Sequence, residues 1–245
     1  MKWINHCKGA EKGKINILCF PYAGAGSGYF ARWIRFFDER FNILPVQYPM
    51  RDNRMTEPMP DTIQELAKQF ITESEELFEA PYALFGHCMG SHVAYEVGIA
   101  AKEHYGVSPA AAFLSSAVSP RKVNMISTKD LEQDQFLAHY GVKELVESWD
   151  ANYRNFFLPI LRADSLMCEN YSPKEVKKIP CKICVLYGNS DLELQPFSQV
   201  RDWENYTDYG IEYLSYEGDH FFIDREPKKV ADDVMAYLER TVIMK

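Results

Sequence analysis

Nowhere in the 245 residues is there a continuous apolar run long enough to cross a bilayer, and Met1 to Ala10 lack the apolar stretch of a secretory signal. A soluble, cytoplasmic protein with no membrane partner is therefore expected. Cationic excess is missing too: 27 Lys and Arg stand against 35 Asp and Glu, a formal charge of −8. Such a surface repels a polyphosphate backbone, and no Lys/Arg run overrides it locally, so nucleic acid is not an expected partner. Cysteine is sparse. Its six copies (Cys7, Cys19, Cys88, Cys168, Cys181 and Cys184) are scattered over a chain of ordinary size that needs no disulfide framework, which points to reduced thiols. Internal repeats, low-complexity tracts and linker-like stretches are absent. What remains is a chain that is 47% hydrophobic and long enough for one large core, so residues 1–245 are expected to form a single domain.

Short, apolar, β-rich runs recur along it. Lys14 to Phe20, Phe41 to Tyr48, Tyr82 to Phe85, Ala111 to Ser115, Lys182 to Tyr187 and Ile211 to Ser215 all read as strands. Helical patterns lie between them. The clearest is over 61–78, where Ile63, Leu66, Ala67, Phe70 and Ile71 recur at helix spacing behind an Asp61/Gln64 capping-box arrangement. A last helix starts around Pro227 and puts Val230, Val234 and Leu238 on one face. Alternating strand and helix implies an α/β fold, a mainly parallel sheet covered by helices on both faces. One segment, about 121–171, breaks the rhythm: it has no convincing strand, only amphipathic stretches interrupted at Gly141 and Pro159 and rich in aromatics. It reads as a helical lid inserted over the ligand edge of the sheet, extra helical packing being the alternative.

The chemistry gathers around Gly86-His87-Cys88-Met89-Gly90, a reactive side chain between two glycines where a strand meets the next helix. This is the pattern of a nucleophile elbow of the α/β-hydrolase fold with Cys in the nucleophile's place. The elbow strains the backbone, so the positions two before and two after the nucleophile must be small. A cysteine at a helix N-terminus also feels the positive end of the dipole, which favours the thiolate. In this fold the acid and the histidine follow later in the chain. Gly188-Asn189-Ser190-Asp191 follows one late strand, and Gly218-Asp219-His220 follows the final one, placing both loops at the sheet's C-terminal edge, where ligands bind. Cys88 as nucleophile, His220 as base and Asp191 as orienting acid form the expected set. Asp219 is the competitor for the acid, but a residue adjacent to His220 seldom points at it in the required geometry. His87 and His92 read as structural, His139 as part of the insertion, and His6 and His104 as surface residues. The backbone N–H groups of Ala23, in the loop after the first strand, and of Met89 are the expected oxyanion donors.

Three other signals weigh less. Gly24, Gly26 and Gly28 suggest a dinucleotide cradle, yet Tyr29 stands where that fingerprint wants Gly, and no acidic residue follows the next strand. Cys181 and Cys184 have zinc-like spacing, but in a strand they face opposite sides and no second ligand pair is apparent, so no metal is expected. Arg32, Arg35, Arg51 and Arg54 read as solvated surface, a phosphate or acidic partner being the alternative.

Taken together, LCFPYAGAGSGYF at 18–30, QYPMRDNRMTEP at 47–58, PYALFGHCMG at 81–90, LPILRADSLMCENY at 158–171, YGNSD at 187–191 and GDHFF at 218–222 resemble the type II, or external, thioesterases of nonribosomal peptide and polyketide synthases. The resemblance covers nearly the whole chain. It implies hydrolysis of stalled acyl groups from the phosphopantetheine arm of a carrier protein, with no cofactor of the enzyme's own. It also implies that the helical insertion covers an acyl channel. The chain departs from the family at Cys88, where Ser is usual, and at Met50, where Gly is usual. A cysteine nucleophile keeps the acyl group activated, so transfer or cyclisation onto an amine or alcohol is the alternative to hydrolysis.

Overall fold

In the computed structural model, residues 1–123 and 125–243 are described. Strand β1 (Ile15–Phe20) leads through the one-turn α1 (Gly28–Ala31) to β2 (Phe41–Pro45), then α2 (Ile63–Thr72) and β3 (Tyr82–His87). Next come α3 (Met89–Tyr105), β4 (Ala111–Ser115), α4 (Gln133–His139), α5 (Lys143–Glu147) and α6 (Ala151–Glu169). The chain closes with β5 (Lys182–Gly188), α7 (Ser198–Arg201), β6 (Ile211–Tyr216), α8 (Phe222–Arg225) and α9 (Pro227–Leu238). All six strands pair in parallel, in the order β2-β1-β3-β4-β5-β6. The order reverses at β1 and β3, opening a crevice above their carboxyl ends.

The strands are buried on both faces because their side chains alternate into two cores. Leu18 and Phe20 of β1 pack with Leu66, Phe70, Met89 and Val93 of α2 and α3. Ile17 and Cys19 pack on the opposite face with Phe30, Trp33, Val230 and Val234. Cys181 and Cys184 fall into these opposite cores, as the strand period requires, and all six cysteines are free. Each fully buried Val or Leu contributes on the order of 1.5–3 kcal/mol, which fixes α9 to the sheet by Val230, Val234 and Leu238.

The expected helix over 61–78 is shorter. Thr62 is its cap, accepting from the Glu65 N–H at 3.2 Å, so Asp61 lies one residue outside. It stops at Thr72, and a tight turn over Glu75–Phe78 swings Leu77 and Phe78 into the core. Between β4 and β5 the described residues hold three α-helices and no strand. Gly141, at φ +65°, makes the turn between α4 and α5. Pro159 does not interrupt the segment as its sequence suggested: it lies inside α6 on an exposed face, where water can meet the carbonyl that loses its partner. Among the described residues no helix is long and apolar enough to cross a membrane.

Candidate active site

The elbow forms where β3 runs directly into α3. Cys88 sits between them at φ 53°, ψ −120°, a conformation that costs a non-glycine residue on the order of 1–3 kcal/mol. The surroundings hold it there. The Cys88 N–H donates to the Ser115 carbonyl at 2.8 Å, and the Ser91 hydroxyl bridges the ends of β3 and β4, 2.9 Å from the Gly86 carbonyl and 3.0 Å from the Ser115 N–H. Both flanking glycines are sterically required. A Cβ on Gly86 would lie 2.2 Å from the Gly90 carbonyl oxygen, and one on Gly90 would lie 2.0 Å from that of Phe20.

Two loops beyond β5 and β6 bring the partners in. Ser190 N–H donates to the Gly218 carbonyl at 2.9 Å, and Gly188 has no room for a side chain against the Asp219 backbone. So joined, the loops set His220 Nδ1 2.9 Å from Asp191 Oδ2. Asp191 is 1% exposed, and its other oxygen accepts from the Glu193 N–H at 3.0 Å, which fixes the carboxylate plane. Cys88 and His220 line the same cavity, and the Cys88 sulfur acts on the charge of the imidazole. Burial of the ring opposes its charge, but the Cys88 sulfur and the Asp191 carboxylate outweigh that and push His220 up to about 11. Asp219 turns away: its carboxylate pairs with Arg225 at 2.8 Å and caps the Phe221 N–H. Glu193 reaches within 3.6 Å of His220 but is 73% exposed.

The other histidines near the elbow are unsuited to proton transfer at neutral pH. Burial pushes His92 down to about 4, and burial with the neighbouring His220 holds His87 well below its ordinary value. His87 bonds Ser115 Oγ through Nδ1 at 2.9 Å, and His92 bonds the Val118 carbonyl at 2.9 Å.

Cys88 and His220 open on a cavity of about 930 Å³, walled by Tyr22, Met89, Tyr140, Trp149, Phe157 and Leu161 among others. Its apolar wall is supplied largely by α6 and the residues just before it. Ala23 and Met89 both line the cavity beside Cys88. Met89 begins α3, so its N–H has no partner within the helix. Directly after Ala23, the Gly24 N–H donates to Asp164 and the Ala25 N–H to the Tyr22 carbonyl. The cradle reading of this loop meets a direct obstacle: the Asp52 carboxylate packs on Gly26 and accepts from Ser27 N–H at 2.9 Å, putting negative charge where a pyrophosphate would lie.

The arginines divide. Arg32 and Arg35 are exposed, as expected, whereas Arg51 and Arg54 are 2% and 3% exposed and are not solvated surface. Arg54 lies 3.7 Å above the Trp3 ring and pairs with Glu57. Arg51 forms a two-pronged pair with Asp164 of α6, at 2.6 and 2.8 Å. The sequence held one clue to this pair, an aspartate on the apolar stripe of the insertion between Leu161 and Cys168, but gave no sign of its partner.

A cysteine and a histidine, with a buried carboxylate behind the histidine, meet at the switch point of a parallel α/β sheet on the wall of a large cavity, the layout of an α/β hydrolase. Within that class the chain belongs to the thioesterase family, whose Thioesterase domain pattern matches residues 16–238. It is 28% identical to Thioesterase PikA5 of Streptomyces venezuelae over 96% of this chain and 85% of that one. It is also 28% identical to the gramicidin S biosynthesis protein GrsT of Aneurinibacillus migulanus, over 91% and 88% of the two chains. Among solved structures, the type II thioesterase BorB from the borrelidin biosynthetic cluster superposes with a TM-score of 0.85 and 26% identity, covering 97% of this chain and 98% of that one.

Proposed function

We propose that this protein hydrolyses acyl groups from the phosphopantetheine arm of carrier-protein domains in a nonribosomal peptide or polyketide synthase, through an acyl-Cys88 intermediate. The observation that carries this reading is that Cys88, at the elbow, and His220, 2.9 Å from buried Asp191, line one cavity large enough for an acyl chain. The synthase setting rests on the relatives, one named for gramicidin S biosynthesis and one from a borrelidin cluster. The carrier brings the arm with the substrate, and the enzyme needs no cofactor of its own. Six free cysteines suit the reducing cytoplasm.

With its pKa raised, His220 holds a proton at neutral pH beside the Cys88 sulfur. The Cys88 thiolate adds to the thioester carbonyl, and the displaced electron pair moves to oxygen, facing the Ala23 and Met89 N–H groups. The tetrahedral centre collapses, the bond to the pantetheine sulfur breaks, and His220 gives that sulfur its proton. Cys88 then carries the acyl group. Water, losing a proton to His220, attacks this second thioester, and breaking the Sγ–C bond releases the acid and restores the ion pair. Exchange of one thioester for another is nearly isoenergetic, so acylation costs little and the intermediate stays reactive. The insertion over 121–171 acts as the lid of the acyl channel, in one domain spanning 1–245.

A substrate panel tests the function. The same acyl group is offered on a carrier domain, on N-acetylcysteamine and as an oxygen ester. Release of acid from the carrier and the small thioester, well ahead of the oxygen ester, is expected. A carrier load left intact under conditions where the protein is folded would reject it, as would a preference for the oxygen ester.

A further inference from the structure

The loop that carries Ala23 is held at three points, and one hold comes from the insertion. Asp164 Oδ2, on α6, accepts from the Gly24 N–H at 2.7 Å. The same carboxylate takes both prongs of Arg51, whose Nη1 also donates to the Ala25 carbonyl at 3.0 Å and whose Nε donates to the Pro49 carbonyl at 3.1 Å. Next along, Asp52 takes the Ser27 N–H and, at 2.6 Å, its hydroxyl. Gly24 adopts φ +84°, and a Cβ there would come within 3.0 Å of the Phe157 ring, so the loop lies directly on α6.

We propose that Asp164 and Arg51 are positioning residues of the oxyanion hole, transmitting the seat of α6 to the Ala23 N–H through Gly24 and Ala25. This rests on the reading of Cys88 as nucleophile and Ala23 as an oxyanion donor. Two observations bear on why a charged pair is used. Asp164 is 0% exposed and Arg51 2% exposed, and a buried ion pair is a poor way to gain stability, because apolar residues of similar volume hold a fold as well or better. The pair instead spends hydrogen bonds on backbone groups that directly follow Ala23, the Gly24 N–H and the Ala25 carbonyl, fixing the course of the loop on which the Ala23 amide sits. The same helix walls the cavity with Phe157 and Leu161, so the acyl group and the oxyanion donor are referred to one rigid element. An amide displaced by a fraction of an ångström still permits the acyl chain to bind but no longer meets the developing oxyanion at hydrogen-bond distance.

Three readouts separate positioning from a merely structural role in Asp164→Asn and in the double replacement Arg51→Met with Asp164→Leu. The first is kcat and KM on an acyl thioester. The second is affinity for the trifluoromethyl ketone of the same acyl chain, which adds to the Cys88 sulfur and places its oxygen in the hole. The third is affinity for the unreactive thioether, which only fills the cavity. Removing one oxyanion donor outright lowers kcat by about 100- to 1,000-fold. Displacement is expected to cost about 10-fold in the Asn variant and about 100-fold in the double variant, with KM and thioether affinity within about twofold and ketone affinity falling in step with kcat. Unchanged ketone affinity overturns the positioning role, as does parallel loss of ketone and thioether binding, which signifies a collapsed cavity. The Asn variant keeps the test open should the double variant not fold. A wild-type protein that forms no ketone adduct rejects Cys88 as nucleophile and this inference with it, whereas adduct formation undiminished in the variants rejects this inference alone.

Discussion

His220 Nδ1 lies 2.9 Å from Asp191 Oδ2 while the neighbouring Asp219 points outward to Arg225. Adjacent in sequence and remote in role, Asp219 is expected to be dispensable. Asp191→Asn should lower kcat by at least about 100-fold, since a carboxylate in this position holds the imidazole's tautomer and supports its charge. Asp219→Ala and Glu193→Gln should each stay within about threefold of the parent protein. Steady-state rates on one acyl thioester decide, and equal losses at 191 and 219 would reverse the assignment.

Exchanging sulfur for oxygen at position 88 should change the pH dependence as well as the rate. The Cys88 sulfur is the largest of the influences that raise His220, and a serine hydroxyl does not ionise in this range. A group held above its ordinary value keeps its proton to higher pH. The wild-type ring should therefore stay charged to higher pH than the ring in Cys88→Ser, which should release its proton closer to the ordinary value of about 6.5. There it must be neutral to act as a base, so the variant's activity should climb with pH through that titration. Following the His220 ring protons by NMR alongside kcat/KM checks both halves. A ring that titrates identically in the two proteins would refute the thiolate–imidazolium description.

The elbow glycines should tolerate nothing. Gly86→Ala and Gly90→Ala each drive a methyl group into backbone, at 2.2 and 2.0 Å, where no side chain can move aside. A loss of about 3 kcal/mol or more in urea unfolding is expected, at or beyond the upper end for overpacking. Gly106, at the end of α3 and with nothing within 4 Å of a Cβ, is the control: its Ala variant is strained only by its φ of +73° and should lose about 1–2 kcal/mol.

Met50 occupies a backbone conformation that suits glycine. Its φ is +65°, where a β-carbon costs about 1–2 kcal/mol, and its N–H is tied to the Arg54 and Glu57 carbonyls at 3.0 and 3.1 Å. Met50→Gly relieves that strain but frees the unfolded chain, so unfolding stability should match or exceed the parent by up to about 1 kcal/mol. Met50→Val, with a branched β-carbon in the same conformation, should lose at least about 1 kcal/mol. Stability falling in the Gly variant as far as in the Val variant would show that the side chain's packing outweighs its backbone.

Much of this was legible in the sequence because buried parallel strands announce themselves. All six apolar runs became strands, and Pro227 began the last helix as its fixed φ suits it to do. Cys88, Asp191 and His220 were singled out by their places after strands, which the topology brings to one sheet edge. What failed was decided by tertiary contact. The end of α2 depends on Leu77 and Phe78 turning into the core, and Pro159 survives inside α6 because its face is exposed. Arg51 looked like surface since its partner, Asp164, lies 113 residues away, and neither spacing nor periodicity links them.

The most direct test of acyl-Cys88 catalysis is single-turnover mass spectrometry. Excess wild-type protein is mixed with an acyl-N-acetylcysteamine thioester, quenched at short times, and weighed intact and after digestion. An adduct of one acyl group on the peptide containing Cys88 is expected, decaying at the rate at which free acid appears and absent in Cys88→Ala. Release of acid with no adduct at any time, undiminished in Cys88→Ala, would contradict it.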